Sequence, residues 1–340
     1  MTHTPLSALG EFGLIAHLTQ EFQLLNANSL LGIGDDAAVI DFEGYQTLIS
    51  TDLLVENIHF DLVYTPLQHV GYKAVATGIS DIYAMNGRPT QITVAMAVSN
   101  RYSVEALREI YGGIRRACEF YGVDLVGGDT TSSVRGLTLA VTTLGIAKKE
   151  QIVRRSGAKV GDLICASGDF GAAYLGLQLL EREKQVFEAQ PTMQPQLEGK
   201  NYLLSRILKP EARKDIIEFL QKNDILPTAM IDVSDGISSE INHICKASNV
   251  GALIEEALVP IAQEARLQAI EFNIDPITCA LHGGEDYELL FTINPKDAEK
   301  IRFSNEISII GEILPAQDGI KLETKGGNFY NLTAQGFKHH

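Results

Sequence analysis

Residues 69–89, HVGYKAVATGISDIYAMNGRP, carry an apolar helix pattern that closes with a stop signal. The apolar residues recur at helical spacing up to Asn86-Gly87, where a helix normally ends before a proline. The next segment, 91–99, alternates apolar and polar residues and is predicted to be a strand. One carboxylate, Asp81, interrupts the helix, and an unpaired buried carboxylate is costly. Asp81 therefore faces either solvent or a cation, and its small neighbours favour the cation.

Strands and helices alternate outward from this unit in both directions. In the first half, strands are predicted at 47–51, 123–126 and 137–147, and a helix is predicted at 103–121. A basic stretch at 148–155 then leads into a second mixed series, with strands predicted at 162–166, 228–231, 252–255, 287–293 and 307–313. One helix of this series is predicted to end at about 183, and a surface loop is predicted at 184–200. The other helices are predicted at 201–208, 211–222, 236–248, 261–272 and 295–303. The predicted fold class is α/β or α+β, with domains at 1–149 and 150–340.

The composition is that of an ordinary globular protein with an excess of acid. Hydrophobic residues make up 45% and charged residues 21% of the 340, and the formal net charge is −15. Such acidity disfavours nucleic acid and anionic membranes as partners, so a polyphosphate ligand would need a metal ion to supply positive charge. The four cysteines lie in apolar segments and predict buried thiols. Without a signal-peptide pattern or a run of about 18 apolar residues, we expect a cytoplasmic protein.

Acidic residues recur beside small residues, mostly at the ends of apolar segments. The set is Gly32-Ile-Gly-Asp-Asp36, Ser50-Thr-Asp52, Ser80-Asp81, Gly127-Gly-Asp-Thr130, Asp232-Val-Ser-Asp235 and Gly283-Gly-Glu-Asp286. Converging carboxylates repel one another by roughly 4 kcal/mol per pair at about 4 Å and an effective dielectric near 20. A fold tolerates this only around a cation, and oxygen ligands select Mg²⁺ before Zn²⁺. The set therefore predicts a site with several Mg²⁺ ions for a phosphate ligand.

Each acidic segment also has a plainer interpretation. Residues 32–37 mimic a dinucleotide fingerprint, but two carboxylates stand where a pyrophosphate should lie, so a turn that presents Asp36 to a cation fits better. A plain acidic turn stays open there, as does a simple turn at 127–130. For Ser50-Thr51-Asp52, the plainer interpretation is that these residues cap the turn that follows the strand and bind no metal. Of Asp232 and Asp235, we assign one to the metal, and for the other the role of a helix N-cap without metal contact stays open.

Three further residues have functional and structural interpretations. Glu285 follows two glycines and could contact a cationic substrate group or lie solvated in a turn. His59 follows Asp52 closely enough to line the same cleft, although a lone histidine is more often structural. Arg155 precedes the second lobe, and an arginine is expected near a triphosphate. The sequence contains no P-loop, no protein-kinase catalytic loop and no zinc-protease or Ser-His-Asp pattern.

Together these segments resemble the thiamine-monophosphate kinase family, in the superfamily that includes aminoimidazole ribonucleotide synthetase and selenophosphate synthetase. Seven segments occur in the family's order over nearly the whole chain, which makes the resemblance specific. They are GIGDDAA (32–38), STDLLVENIHF (50–60), KAVATGISDIYAMNGRP (73–89), VGGDTT (126–131), RSGAKVGD (155–162), IDVSDGISSEINHI (231–244) and GGEDYELLFT (283–292).

The resemblance implies a PurM-like two-lobed fold, in which the N-terminal lobes of two subunits pair into a β-barrel-like dimer core. It implies transfer of the γ-phosphoryl group of ATP to thiamine monophosphate, with several Mg²⁺ ions as cofactor. The implied Mg²⁺ ligands are Asp36, Ser50, Thr51, Asp52, Asp81, Asp129, Asp232 and Asp235, and the catalytic set is Asp36, Asp52, Asp81, Asp129 and Asp232. The implied ATP contacts are Tyr111, Gly128, Asp129, Arg155 and Ser234. The implied substrate contacts are His59, Glu285 and Phe337.

The kinase hypothesis predicts direct in-line transfer without a phosphoenzyme, because the acceptor is already an ionised phosphate monoester. Two rival functions stay open. Another ATP-dependent synthetase of the superfamily would activate a carbonyl oxygen or selenide, although the cysteine typical of selenophosphate synthetases is missing before Cys118. An acidic divalent-cation binding protein would leave the paired glycines and Arg155 without a role.

Overall fold

The computed structural model describes residues 29–31, 34–42 and 44–333. Over these residues the chain forms two mixed lobes, each built on one β-sheet, which confirms the predicted fold class. In the described part of the chain, no helix is both long and apolar enough to cross a membrane.

The first sheet has six strands in the order β1-β2-β3-β6-β4-β5. They are β1 (Ser29–Leu31), β2 (Ala38–Phe42), β3 (Tyr45–Val55), β4 (Arg88–Val98), β5 (Asp124–Ser132) and β6 (Leu137–Ala147). Neighbouring strands are antiparallel except β4 and β5, which run parallel. Along β6 buried and half-buried side chains alternate strictly, so one face of the sheet is packed and the other is open.

Two helices cover the packed face of this sheet. Helix α1 (Leu67–Ala84) contacts β3 and β6, and α2 (Val104–Tyr121) packs on α1. Two glycines permit the close helix crossing, because a Cβ at Gly71 would lie 1.9 Å from the Ile110 carbonyl oxygen and one at Gly113 would lie 1.9 Å from the Gln68 carbonyl oxygen. The close packing buries almost all of α1.

The second sheet has seven strands in the order β13-β12-β9-β11-β7-β10-β8. They are β7 (Leu163–Ser167), β8 (Ala229–Val233), β9 (Gly251–Glu255), β10 (Glu288–Ile293), β11 (Ile307–Leu314), β12 (Ile320–Glu323) and β13 (Phe329–Asn331). The strands β7 and β10, and the edge strand β8 beside them, are buried almost throughout. A strand buried on both faces reads as a continuous apolar run rather than as an alternating one.

The second lobe also contains seven of the described helices. They are α3 (Ala172–Ala189), α4 (Asn201–Leu208), α5 (Lys214–Lys222), α6 (Ile237–Ser248), α7 (Gln263–Glu271), α8 (Pro276–His282) and α9 (Ala298–Ile301). Short 3₁₀ turns occur at Lys149–Gln151, Glu256–Leu258, Pro295–Asp297 and Ala316–Asp318. One apolar cluster joins the lobes, since Val75 of α1 shares it with Met230 of β8 and Phe291 of β10. Residues of α1 and β8 therefore have fixed positions relative to each other.

Most predicted elements are confirmed within a few residues, but some local predictions are wrong. β5 continues through 127–130, so the paired glycines lie in an edge strand and not in a turn. α3 continues to Ala189, because the polar residues after 181 are good helix formers. Strands β1, β2, β12 and β13 and helix α8 were not predicted from the sequence, and the helix predicted at 295–303 is a 3₁₀ turn followed by the single turn of α9.

Candidate active site

Three carboxylates from distant parts of the chain meet where the two lobes join. Asp36 lies in the bend before β2, Asp81 lies in α1, and Asp232 lies in β8 of the second lobe. One carboxylate oxygen of each lies within 4.8 Å of the others. We call these three residues the carboxylate cluster. Its existence depends on the packing of α1 against both lobes.

Serine hydroxyls support two members of the carboxylate cluster. Ser50 Oγ donates a hydrogen bond to Asp81, and Ser80 Oγ donates to Asp232 at 2.7 Å. Both serines are buried, so these bonds persist without competition from water. Ser50 and Asp81, both predicted at the site, are therefore in direct contact.

Arg155 is the arginine of the site, and it binds Asp36 in a bidentate manner. Its Nε and Nη2 donate to the two carboxylate oxygens at 3.0 and 2.8 Å. The neighbouring Asp35 lies 3.8 Å from Arg155 Nε, and burial followed by the charge of Asp36 raises the pKa of Asp35 to about 6. Bidentate pairs are strong and directional, so Arg155 fixes the orientation of Asp36.

The ionised carboxyl groups of the site repel one another, and burial adds to the cost of their charge. Burial is the main cause that raises the pKa of Asp81 well above its usual value, and the charges of Asp52, Asp232 and Asp36 raise it further. Burial and then Asp36 raise the pKa of Asp232 to about 8, and burial raises that of Asp52 to about 6. One oxygen of Asp52, Oδ2, is buried without a hydrogen-bond partner.

These residues fit a hard divalent cation. All the donors are oxygens, they converge from several segments, and Asp52 Oδ2 lacks any other partner. One guanidinium is too little charge for four neighbouring carboxylates, whereas a divalent cation favours the ionised form of each of them. Asp36, Asp52, Asp81 and Asp232, with Ser50, are therefore able to hold Mg²⁺.

A cavity of about 1220 Å³ opens next to Asp52. His59 and Glu285, the two predicted substrate contacts that the structure describes, both line it. His59 Nδ1 accepts a hydrogen bond from the Val55 amide at 3.0 Å, which leaves the proton on Nε2 in the neutral ring. Lys73 of α1 lies at the same wall, with its Nζ 2.5 Å from Glu285 Oε2.

The backbone around Glu285 is held in an unusual conformation. Glu285 and Tyr287 have φ angles of +62° and +52°, a region that costs a residue with a side chain on the order of 1–3 kcal/mol. Their amides donate to the carbonyl oxygens of Ser234 and Val233 at 2.7 and 2.9 Å. The segment is therefore fixed to the end of β8, and its strained form directs Glu285 to the cavity wall.

Ser234 and Asp235, at the end of β8, also line the cavity. Glu240 of α6 accepts from both of their amides, at 3.1 Å from Ser234 and 2.8 Å from Asp235. Asp235 lies outside the carboxylate cluster, so its predicted metal role depends on a cation within the cavity. Asp286, the last acid of the segment 283–286, is not among the residues that line the cavity. It is buried and accepts from the Gly171 amide at 3.1 Å, so its function is structural.

Asp129, Gly128 and Tyr111 lie at a different place, on a second cavity of about 480 Å³ along β5. In the register of the sheet, Asp129 is opposite Ala95 of β4, which is opposite Ala140 of β6, which is opposite Leu53 of β3. Asp129 is thus three strands away from β3, or about 14 Å at the usual strand spacing.

The alternation of side chains also places Asp129 on the other face of the sheet. Its row is that of Leu53, whereas Asp52 belongs to the next row, with the buried Val141 and Val94. Thr51 shares the open face, where its hydroxyl lies 2.9 Å from that of Thr142. Within one chain, therefore, the structure does not bring Asp129 or the Thr51 hydroxyl to the carboxylate cluster.

Phe337, the predicted aromatic contact, lies outside the described residues. Lys73 was not singled out in the sequence and Ser80 was given no role of its own, although Ser80 donates to Asp232 and Lys73 pairs with Glu285. A signal for Lys73 existed, since it is a charged residue within an apolar helix, eight positions before Asp81 on the same helical face.

Comparison with known proteins first defines the class. Residues 34–147 match the family described as AIR synthase related protein, N-terminal domain, and residues 159–321 match AIR synthase related protein, C-terminal domain. The chain belongs to the thiamine-monophosphate kinase family. The protein of that name from Aquifex aeolicus is 33% identical over 94% of this chain and 98% of its own length, and the one from Escherichia coli K12 is 36% identical over 84% and 83%.

A solved structure supports the same assignment. The structure described as AaThiL complexed with AMPPCP and TMP is 30% identical, with a TM-score of 0.84 over the whole of both chains. The PurM-like two-lobed fold implied by the sequence resemblance is confirmed by these matches.

Proposed function

We propose that this protein transfers the γ-phosphoryl group of ATP to thiamine monophosphate and forms thiamine diphosphate and ADP. The carboxylate cluster, with Asp52 at the wall of a large cavity, is the observation that carries the proposal, together with membership in the family. A relative bound to AMPPCP and TMP supports the choice of both substrates. The volume of about 1220 Å³ exceeds that of most single-ligand pockets, which suits a site for two substrates.

Asp36, Asp52, Asp81 and Asp232 would hold Mg²⁺, with Ser50 beside them and Asp235 facing the cavity. Bound there, Mg²⁺ would neutralise the two polyanionic substrates and the charge that develops on the leaving ADP oxygen. Arg155 orients Asp36 and lies close enough to the cluster to contact a nucleotide phosphate. Ser234 lines the same cavity and supports the nucleotide from the second lobe.

The acceptor enters the cavity between the lobes. Its phosphate is ionised at neutral pH, with a second pKa of about 6, so the transfer needs no general base and no phosphoenzyme. Glu285 offers a carboxylate to the positively charged thiazolium ring, and His59 Nε2 offers a hydrogen-bond donor on the same wall. Residues of both predicted domains, 1–149 and 150–340, line this cavity. We infer that the two domains together form one active site.

We also propose that the protein works as a homodimer in which Asp129, Gly128 and Tyr111 complete the site of the partner subunit. All nine residues of the edge strand β5 are exposed, and they lie beside the open face of the first sheet. An exposed strand edge is a natural pairing surface. Since Asp129 lies three strands from β3, about 14 Å at the usual strand spacing, and on the opposite face of the sheet from Asp52, a metal role for it requires a second chain.

Subunit mixing tests this arrangement. Asp81→Asn and Asp129→Asn are each expected to be inactive as pure dimers. After unfolding and refolding together in equal amounts, half of the dimers carry one intact site, so about a quarter of the wild-type activity returns. No recovery in verified mixed dimers would contradict the proposal that Asp129 acts across the interface.

The activity itself is tested by following thiamine diphosphate formation from thiamine monophosphate, ATP and Mg²⁺ with the purified wild-type chain. We expect turnover that EDTA abolishes and that excess Mg²⁺ restores. Equal activity with EDTA, or no thiamine diphosphate at all in a correctly folded sample, would contradict the proposed function.

A further inference from the structure

The cavity wall carries a strong excess of negative charge for a site that must accept an anionic phosphate. The acids that line it are Asp52, Asp61, Glu181, Asp235 and Glu285. Among the described lining residues, Lys73 and Lys184 are the lysines. Lys184 Nζ pairs with Asp61 at 2.6 Å on the rim formed by α3, whereas Lys73 Nζ pairs with Glu285 itself at 2.5 Å. Lys73 is therefore the ammonium group next to the predicted substrate contacts.

Lys73 lies on the face of α1 that leads to the carboxylate cluster. Lys73, Thr77 and Asp81 are spaced four residues apart and share one face of the helix, with a rise of about 6 Å at each step. The Lys73 side chain is 4% exposed, and its Nζ lies 2.5 Å from Glu285 Oε2 and 3.4 Å from the His59 carbonyl oxygen. The ammonium thus contacts both predicted substrate residues, and its helix leads to Asp81 about 12 Å further along α1.

We propose that Lys73 binds the phosphate of thiamine monophosphate, a role that rests on the proposed function. The ligand carries a positive ring and a negative phosphate, and the Glu285–Lys73 pair presents the opposite charges at one wall. On binding, the ligand replaces one internal ion pair with two pairs to itself, so neither the buried ammonium nor the half-buried carboxylate is left without a partner. A ligand that lacks the phosphate can pair only Glu285 and leaves the Lys73 ammonium unpaired.

This arrangement makes Lys73 a specificity-determining residue for phosphorylated thiamine over thiamine. The alternative is that Lys73 only holds Glu285 in position. In that case the loss of Lys73 would weaken thiamine monophosphate and thiamine by the same factor, because both ligands present the same ring to Glu285. The two ligands therefore separate a phosphate contact from a purely positioning role.

The test is calorimetric binding of thiamine monophosphate and of thiamine to the full-length wild type and to Lys73→Met. We expect Lys73→Met to weaken thiamine monophosphate by about 10- to 100-fold, the range for hydrogen bonds to charged groups, with the affinity for thiamine changed by less than about threefold. Lys184→Met, which removes the rim lysine, is the matched control and is expected to change neither affinity by more than about threefold. Equal losses for both ligands, or no loss for thiamine monophosphate, would overturn the proposal.

A second pair of variants guards against misfolding of Lys73→Met. Glu285→Gln and Lys73→Met/Glu285→Gln differ only at Lys73, and the double variant leaves no carboxylate or ammonium unpaired at this wall. The double variant is expected to bind thiamine monophosphate at least about tenfold more weakly than Glu285→Gln does, and equal affinity would overturn the proposal. Because binding is measured without turnover, a wild type that binds through Lys73 but forms no product would refute the kinase activity alone. A wild type that binds no thiamine monophosphate would refute both.

Discussion

Asp81→Asn is expected to stabilise the metal-free protein while it removes the activity. The substitution keeps the shape of the side chain and an oxygen that accepts the hydrogen bond from Ser50. It removes one of the buried carboxylates that repel one another at the junction of the lobes. Sites that concentrate like charge for function are often maintained at the expense of stability.

The size of the effect follows from the distances within the carboxylate cluster. Oxygen atoms of Asp36, Asp81 and Asp232 lie within 4.8 Å of one another. At an effective dielectric near 20, two ionised carboxylates at that distance repel by about 3.5 kcal/mol. Proton uptake and Arg155 relieve most of this repulsion in the metal-free chain, which leaves an expected net gain of about 1–2 kcal/mol for the variant.

Urea and thermal unfolding in EDTA measure the gain, with Glu198→Gln, an exposed acid of the loop after α3, as the control. We expect the midpoint of Asp81→Asn to rise by about 2–6 °C and that of the control to change by less than about 1 °C. Added Mg²⁺ with AMPPCP should stabilise the wild type more than the variant, since only the intact cluster binds the metal tightly. A variant that is less stable than the wild type in EDTA would refute the electrostatic reasoning.

Two further predictions concern other parts of the molecule. Gly113→Ala is expected to lower the free energy of unfolding by about 1–3 kcal/mol, because its Cβ would lie 1.9 Å from the Gln68 carbonyl oxygen. The neighbouring Gly112 has open space around it, so Gly112→Ala should raise the free energy of unfolding by about 0.5–1 kcal/mol. Equal urea midpoints for these two variants would be inconsistent with the helix crossing. Burial raises the pKa of Asp286 from 3.8 to about 7, so the folded chain keeps a proton that the unfolded chain has lost between about pH 4 and 7. The free energy of unfolding should fall as the pH rises through this window, and Asp286→Asn should flatten that fall in urea titrations at pH 5 and pH 7.5. An unchanged slope in the variant would exclude Asp286 as its cause.

The sequence allowed good predictions where the signal is local. The helical spacing and the Asn86-Gly87 stop located α1, and the segment predicted at 103–121 matches α2, which in the structure has Ser103 as N-cap and Gly122 as left-handed C-cap. The acids at Asp36, Asp81 and Asp232 were recognisable because each interrupts or borders an apolar segment. Local patterns of this kind report burial directly, and burial of an acid is a chemical statement by itself.

The features that were missed depend on contacts between distant segments. The glycines before Asp129 left a simple turn open, and only the pairing of β5 with β4 shows that they lie in an edge strand. The Lys73–Glu285 pair joins residues that are more than 200 positions apart. The positive φ of Glu285 has no sequence signal, because glycine and asparagine are the residues that usually adopt it.

Crystals grown with AMPPCP, thiamine monophosphate and Mn²⁺ test the central claim most directly, because anomalous scattering locates the metal without any assumption about its ligands. We expect peaks within about 2.0–2.3 Å of carboxylate oxygens of Asp36, Asp81 and Asp232, adjacent to the nucleotide phosphates. Peaks that lie elsewhere, with the nucleotide bound and these three carboxylates making no metal contact, would contradict the account.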